Sequence, residues 1–194
     1  MRNLEIGPGK RAIPGFETLN LGSAERTEGS DSDHVGDARN LPFSNNTFDI
    51  VYSSHCIEHI PWYQLEQTIK EWIRVVKPGG KLEVWTVNGY KLAKALIEWE
   101  ETGKWNGPNL GKWKPGGKEA NWINNNPALF VGGRLFSYPR SGEYDSNLHR
   151  CLITPKFLKQ QFEKNGLKGI RDMNSNEVRG YDHGWINMGV CGTK

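Results

Sequence analysis

Three stretches of this chain hold residue types that could do chemistry at the spacing they show. The first is Leu4-Glu5-Ile6-Gly7-Pro8-Gly9, a short apolar run carrying one acid and breaking into two glycines. Glycine has no Cβ, so such a turn bends sharply and lets a ligand approach the backbone closely. At the carboxyl end of a first strand, this is where open α/β sheets take nucleotide-like cofactors. The second stretch is His55-Cys56-Ile57-Glu58-His59, and the third centres on His149. A neutral imidazole is available near pH 7 to take a proton from an acceptor hydroxyl. His55, His59 and His149 are therefore candidate bases, His55 foremost. Each also has a plain structural reading: His55 serving through its backbone, His59 hydrogen-bonding the sheet at a helix start, His149 flanking a strand.

Two other chemistries fit these strings less well. Gly7 to Ala12 matches the G-x-G-x-x-A form of a dinucleotide site. That ligand needs a helix N-terminus aimed at its pyrophosphate, and Pro14-Gly15 breaks the helix almost at once. The string from His55 to His59 matches the H-x-x-E-H form of one zinc peptidase class. Zinc there needs both histidines on one helical face and a distal ligand. Here the string follows an apolar strand directly and Pro61 closes it, so no metal is assigned.

Stepping outward, the elements that must position these residues are legible in the periodicity. Residues 2–6, 16–21, 48–54 and 81–87 read as buried strands, the last following the break at Lys77-Pro78-Gly79-Gly80. Between the last two strands, Trp62, Leu65, Ile69, Trp72, Ile73 and Val76 give one helical face over 62–77. A second helix is predicted over 90–102, with Leu92, Ala93, Leu96 and Ile97 inward and Gly103 as its stop. A third starts at Thr154, with Pro155 in its first position, and ends at Asn165-Gly166. Closing strands are predicted at 167–173 and 184–192. Strands alternating with helices argue for a parallel α/β sheet, and the closing pair adds an antiparallel edge. Trp62, Trp72 and Trp85 are expected in the core.

Residues 103–147 differ, being rich in Gly, Asn and Pro with little helical periodicity. A loop-rich insertion of this length reads as a lid or acceptor-binding element. Trp105, Trp113 and Trp122 lie in it among asparagines, a composition that suits a sugar ring; the alternative is a small satellite core under the loop. Lys104, Lys112, Lys114 and Lys118 could meet a phosphate, although a solvated charged face is the default.

The 194 residues suit a single domain, and 36% hydrophobic with 24% charged residues is ordinary for a globular protein. No apolar run approaches the ~20 residues of a membrane span, and the N-terminus enters a strand directly, so neither membrane anchoring nor a signal peptide is expected. Three scattered cysteines, Cys56, Cys151 and Cys191, do not form a disulfide framework, which points to the cytoplasm. A net charge of +3 is too mild to argue for a nucleic-acid partner.

The stretches occur in a definite order. The Leu4–Gly9 turn comes first, then Asp37-Ala38-Arg39-Asn40-Leu41-Pro42-Phe43, then Phe48 to His55, Ile57-Glu58-His59-Ile60, and Val76 to Leu82. As an ordered set this resembles the class I S-adenosylmethionine-dependent methyltransferases, in their small-molecule branch, over roughly the first half of the chain. The stretch from His149-Arg150 to Gly166 also resembles a segment of small bacterial methyltransferases linked to glycan synthesis. The resemblance implies a Rossmann-like, doubly wound α/β sheet of seven strands with the last antiparallel, and S-adenosyl-L-methionine as cofactor. It places Glu5, Gly7, Pro8 and Gly9 at the methionine end, Asn20 and Leu21 at the ribose, Asp37 and Ala38 beside the adenine, and Ser54 and His55 beside the methyl group. Asn20 stands where the family usually has an acid, and Arg11 where a third glycine is common. Asn20 can bond a ribose diol but lacks a carboxylate's charge, so weaker cofactor affinity is expected. The helices that often precede the first strand are not in this chain, and 103–147 is expected to take over their covering role. The expected activity is O-methylation of a small polar acceptor such as a saccharide or nucleotide-linked sugar. The alternatives are a nucleic-acid or protein methyltransferase, or a non-catalytic cofactor-binding protein. Oligomeric state cannot be read from the sequence.

Overall fold

The computed structural model describes residues 1–9, 12–22, 32–110, 126–136 and 148–194. Seven strands form one sheet: β1 (Asn3–Ile6), β2 (Glu17–Asn20), β3 (His34–Val35), β4 (Phe48–Ser54), β5 (Val76–Val87), β6 (Lys168–Met173) and β7 (Asn187–Thr193). Their order is β3-β2-β1-β4-β5-β7-β6. All pairs are parallel except those of β7, which runs antiparallel to both β5 and β6. This is the Rossmann-like α/β sheet with an antiparallel last strand that the sequence led us to expect. Among the described residues four α-helices accompany it: α1 (Leu65–Val75), α2 (Gly89–Thr102), α3 (Pro127–Phe136) and α4 (Pro155–Lys164). None of the described helices is long and apolar enough to cross a membrane.

Side-chain alternation along the strands separates the two faces of the sheet. Leu4, Ile6, Val51, Leu82, Val84 and Val190 pack with Ile69 and Trp72 of α1 and with Leu158 and Phe162 of α4 in the main core. On the other face Tyr52 and Trp85 gather Ile13 and Phe16. A third cluster, built on Val87, Leu92, Phe130, Val131 and Ile186, joins α2 to α3 beyond the end of β5. The helix ends follow their local chemistry. Asn88 caps α2 by accepting from Lys91 N, and Gly103 closes that helix at φ 71°. Thr154 caps α4 with Pro155 in the first turn. The C-terminal carbonyls of α1 are capped from a distance: Lys194 Nζ donates to the carbonyls of Ile73 (2.9 Å), Arg74 (3.1 Å) and Val76 (2.8 Å).

The structure departs from the expectations in several places. The two-residue strand β3 had no recognisable pattern. Between β1 and β2 the described residues form a turn at Pro14-Gly15 and no helix. Strand β5 starts before the Lys77–Gly80 break: Phe48 pairs with Val76 and Ile50 with Lys81, so residues 77–80 bulge out of register. Trp72 and Trp85 are core residues, but Trp62 is 72% exposed on a 3-10 turn that precedes α1. Ile97 is 57% exposed, and Ala95 takes the inward position instead. The 103–147 region is not all loop. Asn126 accepts from Ala128 N (2.8 Å) and Leu129 N (3.2 Å), Pro127 opens α3, and burial of Phe130 and Val131 offsets the poor helix propensity of Gly132-Gly133. Trp105 joins that small core, 5.8 Å from the ring of Phe130, with its Nε1 donating to Pro108 O at 2.9 Å. Arg11, Trp113, Trp122, Lys112, Lys114 and Lys118 lie outside the described residues.

Candidate active site

The strand order reverses direction between β1 and β4, which opens a crevice at the carboxyl ends of the strands. The sequence-predicted cofactor residues converge there. Gly7 and Gly9 follow β1 with φ of 72° and 59°. Gly7 N donates to Leu19 O at 2.9 Å, tying the turn to β2. A Cβ on Gly7 would lie 2.9 Å from Cys56 Cβ, whereas one on Gly9 would meet nothing within 4 Å. Gly7 is thus packed and Gly9 faces open space. Glu5 is buried and accepts from Ile13 N at 2.8 Å; desolvation raises its pKa despite that bond. Asn20 ends β2, and its Oδ1 accepts from Leu21 N at 3.0 Å. Asp37 is held by Arg39, whose hydrogen bonds keep its carboxyl below the usual range. Ala38 O accepts from Trp72 Nε1 at 2.8 Å, which fixes that loop on α1. Ser54 closes β4. The open space at Gly9, the buried acid behind it and the strand-end placement of Asn20, Asp37 and Ser54 suit an elongated cofactor lying across the sheet.

His55 follows β4 in the left-handed region (φ 52°), a strained conformation for a residue with a Cβ. Both of its ring nitrogens are engaged: Nδ1 stands 2.9 Å from Glu58 Oε1, and Nε2 2.7 Å from Asn187 Oδ1. Asn187 Nδ2 donates to Asp182 Oδ1 (2.6 Å), which fixes the amide so that its oxygen faces His55. Glu58 is 2% exposed, and its Oε2 accepts from Thr86 Oγ1 at 2.8 Å. Burial is the largest influence on His55 and lowers its pKa, but the Glu58 charge and the hydrogen bonds to Glu58 and Asn187 together raise it. The same pairing holds Glu58 low against its own desolvation. As placed, both ring nitrogens of His55 face protein oxygens.

His59 and His149 form a separate pair. The segment before α4 runs alongside the 3-10 turn Ile57–His59, with Arg150 N donating to Glu58 O at 2.8 Å. The two rings meet edge to face at 5.0 Å. His59 Nδ1 lies 3.2 Å from Leu148 O, and His149 Nδ1 2.8 Å from Arg134 O in the last turn of α3. Burial lowers the pKa of His149.

The sequence reading missed His183. Its ring lies 3.9 Å from that of His55, and Tyr181 meets it edge-on at 4.8 Å. His183 is exposed to solvent on one side, yet desolvation, then the neighbouring His55 and Arg134 charges, push its pKa down to about 4. The signal available was the run Tyr181-Asp182-His183-Gly184 just before the last strand, at the carboxyl end of its antiparallel neighbour β5.

Comparison with known proteins bears on this crevice. Residues 19–84 match the family model described as "Methyltransferase domain". A norajmaline N-methyltransferase of Rauvolfia serpentina is 41% identical over 64 residues, covering 33% of this chain and 21% of that one. A demethylmenaquinone methyltransferase of Bacillus mycoides is 35% identical over 103 residues, covering 50% and 40%. This chain therefore spans less than half the length of either relative. Among solved structures, a methyltransferase of Thermotoga maritima, described as S-adenosylmethionine-dependent and a possible histamine N-methyltransferase, aligns with TM-score 0.55 at 20% identity. That alignment covers 100% of this chain and 82% of that one. The chain shares the fold of that S-adenosylmethionine-dependent methyltransferase, and its residues 19–84 match the methyltransferase-domain model.

Proposed function

We propose that this chain transfers a methyl group from S-adenosylmethionine to a hydroxyl of a small polar acceptor, with a saccharide or nucleotide-linked sugar as the favoured class. The cofactor brings a methyl already activated as a sulfonium, so the protein's task is position and proton removal. Glu5, Gly7, Pro8 and Gly9 hold the methionine end, Asn20 and Leu21 the ribose, Asp37 and Ala38 the adenine, and Ser54 with the backbone of His55 the region of the methyl. Residues 103–147 take the covering and acceptor-binding role.

The observation that carries this reading is the polar chain Asp182–Asn187–His55–Glu58–Thr86, with the His183 ring tilted against its central ring. His55, with both ring nitrogens facing protein oxygens, orients the neighbouring ring. His183, with a pKa of about 4, keeps a lone pair at neutral pH and accepts the acceptor's hydroxyl proton. The exposed Tyr181 ring beside it offers an apolar face to a sugar, and the surrounding amides and imidazoles suit its hydroxyls. The test is S-adenosylhomocysteine release across free saccharides, nucleotide-linked sugars, amines and quinols. Turnover confined to hydroxyl-rich acceptors is expected. Turnover only with amines or quinols would overturn the acceptor class, and failure to bind S-adenosylhomocysteine would overturn the cofactor assignment.

A further inference from the structure

We propose that Glu58, His59 and His149 form a binding site for one divalent transition-metal ion, with coordination positions left open for an oxygen ligand. One ligand atom from each of the three residues lies within 4.8 Å of the others. Tetrahedral zinc with bonds of about 2.1 Å needs ligand atoms about 3.4 Å apart, so small side-chain rotations close the set. Two imidazoles and one carboxylate are a donor set that zinc, manganese and iron accept.

The hydrogen bonds around the cluster argue for ligation over simple packing. Each histidine directs Nδ1 to a backbone carbonyl, His59 to Leu148 O and His149 to Arg134 O. A carbonyl only accepts, so each Nδ1 carries the hydrogen and Nε2 keeps the lone pair. That second hydrogen bond, fixing tautomer and ring orientation, is the arrangement that supports metal-binding histidines. The third member is a buried carboxylate whose position is set by Thr86 and His55. One carboxylate and two imidazoles this close together are a set that one divalent cation can bridge.

The site also differs from the zinc-peptidase pattern that the string His55 to His59 suggests. Only a single 3-10 turn, Ile57–His59, follows His55, so the two histidines of the string do not share a helical face. His55 holds Glu58 from the other side, and the second nitrogen ligand comes instead from His149. The backbone bond from Arg150 N to Glu58 O brings that residue into place. Three protein ligands leave at least one position open, the condition that separates a reactive metal site from a structural one. An acceptor hydroxyl held there would lose its proton more readily. That use of the ion rests on the methyltransferase reading; ion binding does not.

The experiment takes the full chain, treats it with chelator and titrates it with Zn²⁺, Mn²⁺ and Mg²⁺ by calorimetry. The expected result is one equivalent of Zn²⁺ or Mn²⁺ per chain, weakened at least tenfold in both His59→Ala and His149→Ala. His149 also anchors α3, so the exposed-side His59→Ala variant keeps the test valid if His149→Ala fails to fold. Water-proton relaxation with bound Mn²⁺ reads the open position, and an enhancement is expected. Substoichiometric binding of all three ions, or affinity unchanged in His59→Ala, would overturn the site; bound Mn²⁺ with no relaxation enhancement would overturn the open position. S-adenosylhomocysteine titration of the same samples is expected to be unchanged in both variants. Its failure in the wild-type chain would count against the methyltransferase reading and leave the ion site standing.

Discussion

The two glycines of the first turn separate stability from binding, and replacing each by alanine tests whether the crevice is built as described. Both have positive φ, 72° at Gly7 and 59° at Gly9, so alanine at either position costs about 1–2 kcal/mol in backbone strain. Their surroundings differ. The new Cβ at Gly7 would stand 2.9 Å from Cys56 Cβ and 3.1 Å from its Sγ, well inside the ~3.5–4.0 Å of a favourable carbon contact. Overpacking of that kind costs a further ~1–3 kcal/mol. Gly7→Ala is therefore expected to lose about 2–5 kcal/mol, a large part of the ~5–15 kcal/mol that holds a domain together. At Gly9 nothing lies within 4 Å of the new Cβ, so the loss stops at the strain of about 1–2 kcal/mol. The methyl group would instead occupy the space assigned to the methionine end of the cofactor. A loss of at least tenfold in S-adenosylhomocysteine affinity, about 1.4 kcal/mol, is expected there.

Urea unfolding reads the first quantity and calorimetry the second. The expected pattern is crossed: Gly7→Ala falls mainly in stability, and Gly9→Ala mainly in affinity. A Gly9→Ala protein that binds S-adenosylhomocysteine within twofold of wild type would refute the placement of the cofactor over this turn. A Gly7→Ala protein as stable as wild type would refute the packing argument. Adding Cys56→Gly to Gly7→Ala removes the contact but not the strain, and the double-mutant cycle isolates the steric part.

Three further outcomes are expected. Glu17 pairs with Arg2 (2.5 and 2.9 Å) and His34 (2.9 Å), and the Arg2 hydrogen bond lowers its pKa from 4.5 to about 2. The stability it contributes is full above pH 4.5 and is lost as pH falls through about 2; Glu17→Gln should remove on the order of 1 kcal/mol of that acid dependence after solvent screening, measured by denaturation at pH 2, 4 and 6. Lys194→Met strips the α1 carbonyls of their shared ammonium donor and should lower the unfolding free energy by about 1.5–3 kcal/mol, with an unchanged urea midpoint refuting the cap. His183→Ala should lower turnover by ~100-fold or more while S-adenosylhomocysteine affinity holds, whereas near-normal turnover would remove His183 as the base.

What the sequence disclosed and what it hid follow from the range of the interactions involved. Strands β1, β2, β4 and β5 and helices α1, α2 and α4 announce themselves through local periodicity, capping residues and turn glycines. Helix α3 was hidden because Gly132-Gly133 weakens its pattern; tertiary burial of Phe130 and Val131 decides the matter. Strand β3 is two residues long, too short for any periodicity. Trp62 and Trp72 illustrate the limit of reading a helical face: both fit the same spacing, yet the first turn is 3-10, so Trp62 points to solvent while Trp72 is fully buried.

The cofactor half of the crevice was legible because each strand end carries its own residues, and β1, β2 and β4 are parallel neighbours in nearly sequential order. The acceptor half was not, and the reason is topological. Strand β7 returns antiparallel between β5 and β6, so its first residue, Asn187, arrives beside the last residue of β5, Val87. That return delivers Asp182, His183 and Asn187 to the place where His55 follows β4, 132 residues away in the chain from Asn187. No local pattern records such a meeting. Its effect on His55 is large: the residue that looked most like a base in the sequence is pinned at both nitrogens by groups from opposite ends of the fold. In the proposed mechanism the proton-accepting role passes to the adjacent His183, whose pKa is lowered first by burial and then by the His55 and Arg134 charges. The strain at His55, φ 52°, is then understandable as the cost of turning one ring to face Glu58 and Asn187 at once.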